Sequence, residues 1–80
     1  MLFSGGEYKT NTSRITYSWP LEGGFIDRRR LDEVNGWLRQ NEKVLAKKTT
    51  DGVVRELAEQ FPYLTHAECN ATGMSARFAK

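Results

Sequence analysis

One cysteine, Cys69, and one histidine, His66, are all that this 80-residue chain holds of the side chains that most often bind metals or act as nucleophile and base. A single cysteine closes no intrachain disulfide, so a small core has no covalent staple and an oxidising compartment offers it nothing. With one His and one Cys, a zinc site would need carboxylates or a second subunit to complete it. Long apolar runs are missing too. None approaches the roughly 20 residues that cross a bilayer. The stretch Met1-Leu2-Phe3-Ser4-Gly5-Gly6 has no basic region followed by an apolar core, so no secretory signal is expected. Without that signal, Asn11-Thr12-Ser13 and Asn70-Ala71-Thr72 fit the glycosylation pattern by chance. Gly5-Gly6 and Gly23-Gly24 lack the spacing and the following Lys of a phosphate loop. The expectation is a soluble cytoplasmic protein with no metal, nucleotide or other cofactor.

What is present describes one globular domain, residues 1–80. Hydrophobic residues make up 39% and charged residues 28%, which separates the chain from disordered compositions. A chain this short buries only about 60–65% of the surface its unfolded form exposes, so its net stability is expected to be small. The net charge of +2 permits an acidic partner without choosing one.

Ser13 to Trp19 alternates, with Ile15, Tyr17 and Trp19 on one side and Arg14, Thr16 and Ser18 on the other, the period of a half-buried strand. Glu7 to Thr10 can pair with it across Asn11-Thr12, although Asn-Thr is a poorer turn than Asn-Gly. Pro20 ends the strand and Glu22-Gly23-Gly24 is expected to turn. Asp27 then caps a helix whose stripe, Leu31, Val34, Trp37, Leu38, Val44 and Leu45, runs to about Lys47 with a candidate break at Asn41. Gly36 within it suggests a close approach by another element. Thr50 or Asp51 caps a second helix, with Val53, Val54, Leu57, Ala58 and Phe61 inside and Pro62 as its stop. Leu64 to Gly73 reads as a short third helix. Thr65 and Glu68 make a capping box, Leu64 and Cys69 a hydrophobic staple, and Gly73 the stop. Ser75 to Lys80 is expected to fray. The fold class is α+β: a short N-terminal antiparallel β element packed on two main helices and one short C-terminal helix.

Few residues promise chemistry. His66-Ala67-Glu68 resembles the H-x-E box of zinc deaminases, but the P-C-x-x-C that completes such a site is missing. His66 and Cys69 would share a helix face, yet a nucleophilic dyad also needs an orienting group and an oxyanion site in a cleft. Asp32-Glu33 and Glu56/Glu59 read as solvated surface charges. No catalytic residues are expected. The basic cluster is more serious. Arg28, Arg29 and Arg30 crowd the positive end of a helix dipole, a placement unfavourable by a few tenths of a kcal/mol per charge. Three forked donors there suit phosphate or carboxylate. Arg14, with Tyr17 and Trp19 as stacking area, completes the candidate partner-binding set; Tyr8 could add to it. A helix-turn-helix over 53–61 and 66–72 would have a reading helix without Arg or Lys. A ribbon-helix-helix layout is spoiled by Pro20 to Ile26, which separates strand from helix.

In general character the chain resembles the small phage inhibitor proteins, of which the anti-CRISPR proteins are the best-known group: tiny, cysteine-poor and without motifs. The likeness is one of character, and no residue motif carries it. It implies a non-enzymatic protein that covers the functional surface of a host protein or ribonucleoprotein complex by steric occlusion, as a monomer or homodimer, with nucleic acid bound only weakly. The alternative is a small DNA-binding transcriptional regulator, dimeric in form.

Overall fold

The computed structural model describes residues 3–21 and 27–80, and the turn expected at Glu22-Gly23-Gly24 lies outside them. Two strands, β1 (Phe3–Lys9) and β2 (Ser13–Pro20), come first. Three helices follow, α1 (Arg28–Gln40), α2 (Glu42–Leu45) and α3 (Thr50–Gln60). Two more strands close the chain, β3 (His66–Ala71) and β4 (Met74–Ala79). The strands form one antiparallel sheet in the order β1-β2-β3-β4, so the two hairpins join through β2 and β3. The class is α+β, with the helices between the hairpins.

The first hairpin forms where alternation placed it. Its turn is repaired by Thr10, whose hydroxyl oxygen accepts from the backbone N–H of Ser13 at 2.8 Å and of Thr12 at 3.3 Å. Period-2 burial then sorts the sheet into two faces. On the covered face, one cross-strand row is Tyr8, Ile15, Cys69 and Ala76; the next is Gly6, Tyr17, Ala67 and Phe78. The helices pack there, α3 across β3 and β4 and α1 across β1. Val34 and Leu38 of α1, Leu45 of α2, and Val53, Val54 and Leu57 of α3 bury themselves against the sheet with Phe61 and Leu64. Gly6 leaves room for this, because a Cβ there would collide with Leu31 and the Tyr17 ring.

Asp27 caps α1, its Oδ1 accepting from the Arg30 N–H at 3.1 Å. The helix ends at Asn41, whose amide side chain donates to the Trp37 carbonyl at 2.8 Å and so spends the donor on closing the turn. The break tilts the stripe, and Val44 is left 56% exposed rather than buried with its neighbours. Among the described residues nothing approaches Gly36 closely, for a Cβ there would meet nothing within 4 Å. The α3 cap is Thr49, one residue before the expected position, with its Oγ1 accepting from Gly52 N–H at 3.1 Å.

The expected C-terminal helix is absent, and the chain from His66 forms the second hairpin. Thr65, expected as its cap, instead donates its N–H to the Ser18 carbonyl at 3.0 Å, starting the β2–β3 ladder. Ala67 and Cys69 point into the core while His66, Glu68 and Asn70 point out. Gly73, expected as a helix stop, turns the hairpin at φ +75°, the left-handed value a type II turn needs at its second central residue. Nor does the end fray: β4 pairs along β3, and the Lys80 N–H donates to the Thr65 carbonyl at 2.9 Å.

Candidate protein-binding surface

The expected partner-binding residues separate into three places. Tyr17 and Trp19 are 2% and 1% exposed and belong to the core, which corrects their assignment to a binding surface. The reason is topological. β2 is an inner strand, so its apolar side lies under the helices. The Tyr17 and Trp19 rings stack with centroids 6.1 Å apart, and Trp19 meets Tyr63 edge-on at 5.7 Å. Phe61 links Tyr63 to Trp37, extending the aromatic chain across the core. The Tyr17 hydroxyl donates to the Asn35 side-chain oxygen. Burial pushes the Tyr17 and Tyr63 phenols up to about 12 in each case, with the Tyr63 phenol next for Tyr17 and the Glu33 carboxylate next for Tyr63.

The arginine triplet divides as well. Arg28 and Arg29 are exposed on the first turn of α1. Arg30 is held, its Nε 3.3 Å from Asp27 Oδ2 and its guanidinium 4.5 Å above the Tyr63 ring. That stacking, together with the Asp27 cap, compensates a cation at the positive end of the helix. Arg14 lies on the opposite side of the sheet, away from the helices.

Around Arg14 is a surface the sequence reading did not assemble. No helix among the described residues covers the second face of the sheet, and strand register sets three rows across all four strands there. The first is Lys9, Arg14, Asn70 and Ser75; the second is Glu7, Thr16, Glu68 and Arg77; the third is Gly5, Ser18, His66 and Ala79. Arg14 meets Glu7 at 2.9 Å and Lys9 meets it at 3.4 Å. The Arg14 hydrogen bond holds the Glu7 carboxyl below its ordinary value. Glu68 accepts from the Asn70 amide at 3.1 Å and lies 3.6 Å from His66 Nε2. Arg14–Glu7 joins β2 to β1, whereas the other three contacts link residues two apart along one strand, and together they order the long side chains. The alternation visible in Ala67, Cys69 and Ala71, and again in Ala76 and Phe78, was the available signal for β3 and β4, and with them for this face.

The same register parts His66 from Cys69. His66 faces outward, whereas Cys69 is 1% exposed on the core side, where burial pushes its thiol up. A dyad between them is geometrically excluded. Among the described residues, no three His, Cys, Asp or Glu side chains gather as metal ligands. No protein-family model matches the chain, and no curated protein or solved structure matches it either.

Proposed function

We propose that this chain is a non-enzymatic protein-binding inhibitor, of the kind phages direct against host defence, which acts by covering a partner's functional surface with the open face of its sheet. The observation that carries the reading is the face itself. It is a four-stranded platform backed by a packed core, and its charges are set in register by backbone pairing. Thr16, Ser18, Gly5 and Ala79 keep part of it low, so a partner can approach the strands closely. Acid and base alternate across it: Lys9, Arg14 and Arg77 against Glu7 and Glu68. That mixture favours a protein surface with complementary charges over a polyanion, since a phosphate backbone laid across the middle row would meet Glu7 and Glu68. Arg28 and Arg29 offer a separate basic spot on the helix side.

With Tyr17 and Trp19 in the core, no aromatic side chain among those described anchors this face. Its binding energy rests on charge-assisted contacts and falls as salt screens them. The deciding experiment uses two variants in capture from host lysate and in gel shifts with random duplex DNA. Arg14→Glu with Arg77→Glu should abolish capture of a defined protein partner while circular dichroism stays unchanged. Glu7→Gln with Glu68→Gln should also weaken that capture, yet raise affinity for duplex DNA. If removing the acids strengthens the only interaction found, and nuclease treatment abolishes it, the DNA-binding regulator replaces the inhibitor.

A further inference from the structure

The helices roof the sheet unevenly. α1 stops at Gln40, α2 has four residues, and α3 begins only at Thr50. The inner row of the sheet nearest the β1–β2 turn is therefore covered by three helix ends instead of one helix body, and a cavity of about 250 Å³ opens there. Its floor is the cross-strand row Tyr8, Ile15 and Cys69, and its roof is Leu38, Leu45 and Val53, one residue from each helix. The β1–β2 turn and the first residue of α2, Glu42, form the mouth.

Glu42 is the only lining residue with a formal charge, and its carboxylate makes no ion pair among the described residues. Its charge reaches the Tyr8 phenol, which is raised first by burial and then by Glu42, against a lowering by Arg39, a residue outside the lining. The phenol therefore stays neutral at physiological pH and can accept or donate a hydrogen bond. Water fills such a space poorly. At about 30 Å³ per molecule the cavity would take roughly eight waters, and those over Ile15, Leu38, Leu45 and Val53 lie away from the polar partners at the mouth, Tyr8, Thr10, Asn11, Thr12, Ser13 and Glu42.

We propose that this cavity is a binding site for a small organic amine, its apolar body against Ile15, Leu38 and Val53 and its ammonium at the mouth on Glu42, with the Tyr8 hydroxyl as a second acceptor. The sign of the ligand follows from the lining. An anion would face Glu42 with no cation in the wall to answer it. A neutral molecule would fill the floor without drawing on the carboxylate, which Tyr8 and water already meet. The site lies on the covered side of the sheet, independent of the open face proposed for protein binding.

Three probes of one shape test this: phenethylamine, phenethyl alcohol and hydrocinnamate, titrated to millimolar concentration and followed by amide NMR. The amine should shift the Tyr8, Ile15 and Cys69 resonances and bind about two- to fivefold more tightly than the alcohol, the size expected for one solvent-exposed ion pair. Hydrocinnamate should bind more weakly than both. Glu42 is exposed, so its variants should fold. Glu42→Gln should erase the preference for the amine, and Glu42→Lys should transfer it to hydrocinnamate. Absence of binding by all three, equal binding by all three, shifts away from the cavity, or an amine preference that survives Glu42→Gln overturns the proposal.

Discussion

Two glycines on facing elements have opposite reasons to be glycine. Gly6 lies on the covered face beneath α1, where an added Cβ would collide with Leu31 and come within 2.6 Å of the Tyr17 hydroxyl. Gly36 is inside α1, and an added Cβ would touch nothing among the described residues. Gly36→Ala should therefore stabilise the fold by about 1 kcal/mol, the difference in helix propensity. Gly6→Ala should cost about 1–3 kcal/mol through overpacking. Urea unfolding of both variants checks the pair, with midpoints moving in opposite directions at unchanged slope; a destabilised Gly36→Ala would show that α1 has a neighbour there after all. A sequence marks neither role, because crowding is a property of what the fold brings overhead. For the same reason Tyr17 and Trp19 read equally well as core or as binding surface. Alternation says that they share a side, and only the position of β2 inside the sheet says that the side is covered.

Leu64 to Gly73 shows how an element can carry one signal and obey another. Its capping box and staple are local devices worth about 1 kcal/mol, and an isolated helix of this length is marginal in water. As a strand, the same residues satisfy the second edge of β2, extend the covered face with Ala67 and Cys69, and provide an edge on which β4 pairs. Long-range pairing outweighs the cap. Gly73 serves either reading, as a helix stop or as a hairpin turn, and this is what made the helix signal so complete. Its φ of +75° sets the cost of replacement. Gly73→Ala should lose about 1–2 kcal/mol, the left-handed penalty for an L-residue. Hydrogen exchange should quicken at β4 amides first, while β2 amides keep their protection; uniform quickening throughout the sheet would show that the second hairpin is not a separate unit.

For the molecule as a whole, the aromatic chain from Tyr17 to Trp37 runs through a small core, and alkali acts on its two phenols directly. The core phenol of Tyr17 and the half-buried phenol of Tyr63 are both raised from 10 to about 12, first by burial. A group whose neutral form is favoured by folding contributes its full share below its ordinary value and loses it as the pH climbs through the raised one. Stability should therefore be flat up to about pH 9.5 and fall steeply between the ordinary value of 10 and about 12. Tyrosinate absorbance and far-ultraviolet circular dichroism, recorded together across that range, check this. Ionisation of Tyr17 and Tyr63 should coincide with loss of secondary structure, and Tyr63→Phe should narrow the decline. Ionisation of all three tyrosines near pH 10 with the dichroism intact would contradict the buried positions of the two rings.

By itself the sequence determined the α+β class, the β1–β2 hairpin, the Asp27 cap, the break at Asn41 and the inner stripe of α3. Each of these rests on periodicity or on hydrogen bonds between residues a few positions apart. Tertiary structure decided the rest: the conversion of a capped segment into β3 and β4, the burial of Tyr17 and Trp19, and the separation of Arg14 from Arg28 and Arg29. It also assembled the charged rows of the open face and the cavity beneath the helix ends. All of these depend on which strand edge lies beside which, and the free energy of that choice comes from pairing and burial between residues some fifty positions apart.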